Sequence, residues 1–138
     1  MGDLMISILK QFTIIFFIII LAACSIFPKS KAQLSGPQAS DVNVQLGLAY
    51  LENGDVQRAH QKLLLAEQQS PGSLQAKGAM GYFLESTGNL SSADAYYRRA
   101  ITLDPNSGAA QNNYGTFLCR RGQYAKADRH FLLALQDP

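Results

Sequence analysis

Residues 108 to 127 read GAAQNNYGTFLCRRGQYAKA. Apolar and small residues recur there at helical spacing, stop at Arg121-Gly122, and resume at Tyr124, which is the pattern of helix, turn, helix. The same skeleton lies upstream at a fixed interval. Gly115, Gly81 and Gly47 are 34 residues apart, as are Tyr114, Met80 and Leu46, and Leu118, Leu84 and Tyr50. The turn glycines Gly122, Gly88 and Gly54 keep the interval, followed by Ala127, Ala93 and Ala59, then Phe131, Tyr97 and Leu63, then Ala134, Ala100 and Ala66. Pro105 and Pro71 close two of the units. Self-similarity at one period over so many residue classes marks a repeat architecture.

The pattern resembles the tetratricopeptide repeat (TPR), a two-helix hairpin of 34 residues. Glycines and alanines sit where the helices of a hairpin cross closely, and bulky residues fill the seam. The glycine after each first helix supplies a left-handed residue that ends it. Ser73 and Ser107 can cap the following first helices. The departure is at Asn43, Lys77 and Gln111, where the fuller pattern often has an aromatic. The expected fold is all-α: three hairpins, residues 40–73, 74–107 and 108–138, stacked as a right-handed solenoid. First helices are expected near 41–53, 74–87 and 108–121, and second helices near 56–70, 90–103 and 124–136. The last helix carries Phe131, Leu132, Leu133 and Leu135 with no polar cap after it, and Asp137-Pro138 mirrors Asp104-Pro105. Solenoids end in polar caps, so a C-terminally truncated chain is expected, the alternative being that another chain covers this face.

The first residues are of another kind. Lys10 precedes an apolar run from Phe12 to Leu21 broken only by Thr13, which has the form of an export signal. Ten residues of helix reach about 15 Å, short of the roughly 30 Å of a bilayer core. The run ends in LAAC, residues 21–24, which resembles the bacterial lipobox. That resemblance implies removal of residues 1–23 and an N-acyl diacylglycerol lipid on Cys24, a firm membrane anchor. Ser25, rather than aspartate, follows the cysteine, so the outer membrane is the expected destination. Met5 is an alternative start, since Asp3 is out of place in a signal. Residues 24–39, with Pro28, Gly36 and Pro37, read as the lipidated cysteine and a flexible tether.

Composition excludes several classes. Charged residues are 16% of the 138 and the net charge is +2, with no Lys/Arg run to suggest nucleic acid. His60 and His130 have no Cys or paired carboxylate beside them and read as solvated helix positions. Gly47, Gly81 and Gly115 lie inside helices, so they form no phosphate loop, and no nucleophile elbow or zinc spacing occurs. Neither an enzyme nor a small-molecule substrate or further cofactor is expected.

The concave face remains. Repeat geometry lines it with Val44, Gln45, Leu48 and Glu52, then Gln75, Ala79, Tyr82 and Ser86, then Asn112, Asn113, Thr116 and Arg120. An asparagine amide can bond both the N–H and the C=O of an extended peptide, so Asn113, and after it Asn112, is a candidate backbone clamp. Arg98 and Arg99, on a second helix, read as outer-face charges. Cys119 has no partner within the chain once Cys24 is acylated. It is either buried as a small apolar residue or paired with sequence beyond this chain.

The lipobox, the short tether, the repeats and the block NNYGTFLCRRGQYAKA (112–127) together resemble the PilF/PilW family of outer-membrane TPR lipoproteins, the pilotins of type IV pilus assembly. The resemblance implies an anchored scaffold at the periplasmic face of the outer membrane of a Gram-negative cell. It also implies that the scaffold binds a secretin subunit and assists its localisation and multimerisation. The alternative is an NlpI-like outer-membrane TPR adaptor for peptidoglycan enzymes, which should lack the Asn-Asn-Tyr-Gly-x-Phe-Leu-Cys block.

Overall fold

A computed structural model describes residues 36–136. The signal segment, Cys24 and the tether up to Ser35 lie outside the described residues. Six helices follow in order: α1 (Pro37–Glu52), α2 (Val56–Gln69), α3 (Leu74–Ser86), α4 (Leu90–Leu103), α5 (Gly108–Arg120) and α6 (Tyr124–Ala134). No strand occurs among the described residues. Each odd helix pairs with the next even one as a hairpin, while α1 touches α3 and α3 touches α5. The first helices therefore lie side by side, as a TPR solenoid requires.

Close approach within each hairpin rests on the periodic glycines. A Cβ on Gly47 would lie 2.7 Å from Leu63 Cγ, one on Gly81 would lie 3.0 Å from the Tyr97 ring, and one on Gly115 would lie 2.7 Å from the Phe131 ring. The large residues at the same period thus occupy the space the glycines vacate. Gly54, Gly88 and Gly122, at φ of 77°, 83° and 72°, end the first helices in the left-handed region.

The caps are also periodic. Ser73 Oγ accepts from Ala76 N–H at 3.1 Å and Ser107 Oγ from Ala110 N–H at 3.2 Å. Asp55 and Asn89 cap α2 and α4 in the same way. Gln123, at the matching position, makes no side-chain cap on α6.

Helix α1 differs from expectation by starting at Pro37 rather than near Asp41. Gly36-Pro37 looked like a break, yet proline is well suited to the first helical position, where its missing N–H has no partner to lose, and Gly36 takes a φ of 67° before it. The tether therefore does not extend through Ala39. Ala39 and Ser40 are buried, and Ser40 Oγ donates to Ala66 O at 2.9 Å, fastening α1 to α2. At the other end α6 stops at Ala134, two residues short of the expected limit.

One core cluster joins Val44, Leu63, Met80 and Phe83, and a second joins Tyr97, Phe117 and Leu118. Leu84 packs against both, which makes the interior continuous. The three polar residues that replace the usual aromatic each find a different partner. Asn43 Nδ2 donates to Gln69 Oε1 at 2.9 Å and to Ala39 O, and Lys77 Nζ lies 3.5 Å from Glu67 Oε1. Gln111, buried, donates to Pro105 O at 2.7 Å while its Oε1 is 2.7 Å from His130 Nδ1. Since Gln111 Oε1 can only accept, Nδ1 carries the proton.

His130 is consequently not a solvated residue, as its sequence context suggested. It is half-buried against the Tyr114 ring, 4.7 Å between centroids, and burial, with Arg129 nearby, lowers its pKa. His60 is exposed and stacks on Phe83 at 5.1 Å.

Candidate functional site

A groove of about 560 Å³ runs across the first helices. Helix α3 contributes Gln75, Gly78, Ala79 and Tyr82, spaced i, i+3, i+4, i+7, which places them along one face. Helix α5 contributes Ala109, Asn112, Asn113, Thr116 and Arg120 at the same spacing with one further turn. Val44 and Leu48 of α1, Leu74 at the start of α3, and Tyr97 from α4 complete the apolar floor and wall.

Three of the residues expected on this face are elsewhere. Glu52 and Ser86 are the last residues of α1 and α3 and lie a full turn beyond Leu48 and Tyr82, outside the lining. Gln45 is one residue on from Val44, about 100° round the helix, and is exposed away from the groove lining. The groove thus belongs mainly to the second and third repeats, with α1 supplying only its apolar edge.

Polar groups in the groove fall into two sets. No side-chain hydrogen bond among the described residues engages Gln75, Asn112 or Asn113, so their amides are available to a ligand. Arg120 is engaged. Its Nε and Nη2 donate to Glu85 Oε1 and Oε2, each at 2.6 Å, a bidentate pair that ties α5 to α3. The Tyr97 hydroxyl donates to Glu85 Oε2 at 3.2 Å. Burial, reinforced by the Glu85 charge, holds the Tyr97 phenol well above the ordinary tyrosine range. Arg120 therefore serves as the matched end wall of the groove rather than a free cation.

Glu85, Tyr97, Leu74 and Gly78 were not anticipated as site residues. Gly78 carried a readable signal, since it shares the helical face of Gln75 and Tyr82. Glu85 carried none, because its partner is 35 residues away and no charge pattern marks the pair.

Gly78 stands apart from the architectural glycines. Its counterparts at the 34-residue period are Val44 and Asn112, and a Cβ placed on it would meet only Asn113 Nδ2, at 3.0 Å. Gly78 is buried, and its missing side chain leaves room for the Asn113 amide of the neighbouring first helix.

Cys119 is an exposed free thiol near the end of α5, which excludes burial as an apolar residue. Arg98 and Arg99 are exposed on α4, Arg98 3.8 Å from Asp94 and Arg99 over the Tyr96 ring. No group of three or more His, Cys, Asp or Glu among the described residues could hold a metal. No described helix is long and apolar enough to cross a membrane.

Comparison with known proteins places this groove in a family. Tetratricopeptide repeat models match residues 74–107 and 96–129. An uncharacterised protein of Haemophilus influenzae is 31% identical over 132 residues, covering 96% of this chain and 73% of the relative. The type IV pilus assembly protein PilF of Pseudomonas aeruginosa is 34% identical over 107 residues, 78% of this chain and 42% of that protein.

Among solved structures, P. aeruginosa PilF superposes with a TM-score of 0.67 at 34% identity over 72% of this chain and 45% of that one. PilW, described as a widely conserved type IV pilus biogenesis factor, also reaches 0.67, at 28% identity over 73% and 46%. The chain spans less than half the length of these two pilus proteins. With the repeats, the groove and these likenesses together, the chain belongs to the PilF/PilW family of tetratricopeptide-repeat proteins of type IV pilus biogenesis.

Proposed function

We propose that this chain is a non-catalytic scaffold whose groove holds an extended segment of a secretin subunit, assisting that subunit's localisation and multimerisation in type IV pilus biogenesis. The observation that carries the reading is the pair of side-chain amides, Asn112 and Asn113, unengaged among the described residues and set beside an apolar floor. Such an arrangement holds backbone by hydrogen bonds and side chains by burial. The scaffold acts at the periplasmic face of the outer membrane, tethered by an N-acyl diacylglycerol lipid on Cys24.

Recovery of secretin on wild-type protein and on an Asn113→Ala, Tyr82→Ala double variant tests the groove. Loss of recovery by the double variant is expected, and equal recovery would sink the assignment. Co-purification of peptidoglycan hydrolases in place of secretin would favour the NlpI-like adaptor. For the anchor, Cys24→Ala should abolish globomycin-sensitive processing and release the protein from the outer-membrane fraction. Unchanged fractionation would refute lipidation.

A further inference from the structure

Equivalent positions along the solenoid are buried where one repeat meets the next and open at the two ends of the described residues. Within the chain, α3 packs on α2 and α5 packs on α4. At these joints Ala76, Met80 and Phe83 of α3 are buried, as are Ala110 and Phe117 of α5, and Tyr114 packs against the same interior. Their counterparts one or two repeats earlier, on α1, are Val42, Leu46 and Ala49. Spaced i, i+4, i+7, these form one stripe. All three are exposed, Val42 at 41% and Leu46 at 40%.

The other half of the joint is open on α6. Leu63 and Ala66 of α2, and Tyr97 and Ala100 of α4, are buried, whereas their counterparts Phe131 and Ala134 are only partly covered. Leu135, just past the helix, is 82% exposed. Tyr124 is exposed too, while Leu90, which matches it on α4, packs against the core. Both described ends are thus apolar where a solenoid normally carries polar caps, and exposed apolar patches mark contact sites.

The two faces also match in chemistry. Polar pairs cross the joints within the chain: Lys77 Nζ lies 3.5 Å from Glu67 Oε1, and the Tyr114 hydroxyl donates to Asp94 Oδ1 at 2.8 Å. At the open faces Leu135 stands in place of Glu67 and Leu46 in place of Tyr114. Asn43 stands in place of Lys77, and its amide is already bonded to Gln69 in its own hairpin. An α6 face without Glu67 therefore meets an α1 face without Lys77, and neither loses a partner. Asp128, the counterpart of Asp94, is the one charge at these positions. Asp94 stays partly exposed within its closed joint, so Asp128 keeps its water at the rim.

We infer that copies of this chain stack head to tail, the α6 face of one copy receiving α1 of the next as α2 receives α3 and α4 receives α5. The occupant is a second copy because α1 carries the half-joint that α6 lacks. A second helix meets a first helix in such a contact, so it is heterologous and leaves one face free at each end of the pair. This association belongs to the ends of the solenoid and does not depend on what the groove holds.

Capture between full-length copies carrying two different affinity tags, co-expressed and extracted in mild detergent, tests the stacking. Leu46→Asp alters the α1 face alone and Leu135→Asp the α6 face alone. Both side chains are exposed, so the melting temperature of each variant should equal that of wild type.

Wild type should capture wild type. Each variant should capture itself about tenfold less or weaker still, because the joint would bury a carboxylate without a partner. Leu46→Asp mixed with Leu135→Asp should restore capture as a pair, since each brings one intact face. That rescue also shows both variants to be folded.

Self-capture of both variants at the wild-type level, or a mixture that fails to pair, overturns the inference. Leu46→Asp capturing itself while Leu135→Asp does not would place α6 against α6 and overturn it as well. So would absence of capture between wild-type copies, the outcome if further sequence covers α6 in cis or a different protein occupies it.

Discussion

At the scale of single residues, the periodic glycines make a graded prediction. An added methyl at Gly115 would meet the Phe131 ring at 2.7 Å and the Ala127 carbonyl at 3.2 Å, and one at Gly47 would meet Leu63 at 2.7 Å and the Ala59 carbonyl at 3.3 Å. At Gly81 the three nearest atoms all belong to the Tyr97 ring, at 3.0–3.1 Å. Overpacking costs about 1–3 kcal/mol, against which alanine gains about 0.5–1 kcal/mol in helix propensity. Gly47→Ala and Gly115→Ala should therefore lower the urea midpoint, and Gly81→Ala should lower it less. Unchanged midpoints for Gly47→Ala and Gly115→Ala would contradict the crossing geometry.

His130 gives a residue-level pH dependence. Its folded pKa lies below the unfolded reference of about 6.5 because burial disfavours the charged form. The unfolded chain then takes up its proton first as pH falls, so stability is full above about pH 6.5 and declines below it, levelling only once the folded histidine also protonates. The melting temperature of wild type should drop more between pH 8 and pH 5.5 than that of His130→Asn. Tyr114, its phenol pushed up to about 12 by burial and by its bond to Asp94, stays neutral throughout that range.

At the scale of elements, capping separates α6 from the other two second helices. The N-cap residues of α2 and α4, Asp55 and Asn89, each accept a backbone N–H, whereas Gln123 is one methylene too long and leaves α6 uncapped. Gln123→Asp should stabilise the protein by about 1 kcal/mol, and Ser107→Ala should destabilise it by about the same amount, both read from chemical denaturation.

Element positions were largely legible in the sequence because glycines, caps and prolines recur at one interval. All three turn glycines and both serine caps hold the positions the period gives them. The start of α1 was not legible, since Gly-Pro signals a break and a helix start equally well, and only the burial of Ala39 and Ser40 against α2 decides between them. On the groove side, the faces of α3 and α5 follow from helical spacing. The retreat of Gln45, Glu52 and Ser86 from the groove, and the capture of Arg120 by Glu85, depend on how neighbouring repeats are displaced, which no single helix encodes.

At the scale of the whole molecule, the solenoid is a chain of nearest-neighbour contacts, so local stability should follow the number of neighbours each helix has. Among the described residues α6 is packed on α5 alone, and Leu132, Leu133 and the following Leu135 are exposed, whereas α3 contacts four other helices. Hydrogen exchange should be slowest in α3 and fastest in α6. Uniform protection would mean that the three repeats open as one unit. The link between the second and third repeats includes the Arg120–Glu85 pair, with Glu85 only 11% and Arg120 46% exposed. Its energy should lie between an exposed pair, about 0–1 kcal/mol, and the 3–5 kcal/mol of a broken buried one. Arg120→Ala should cost about 1–2 kcal/mol and speed exchange in α5 before α3.

The polar residues at the position where related repeats often carry an aromatic have a consequence for the order of the modules. Asn43 reaches forward to Gln69 in its own hairpin, Lys77 reaches back to Glu67 of the preceding hairpin, and Gln111 spans from Pro105 before its helix to His130 after it. An array with the same aromatic three times over would let its units be shuffled, duplicated or exchanged between molecules with little change at the joints. Here each joint has its own address. Transplanting the second hairpin into the first position would strand a lysine without its glutamate, so the succession of units is written into the interior as well as along the chain.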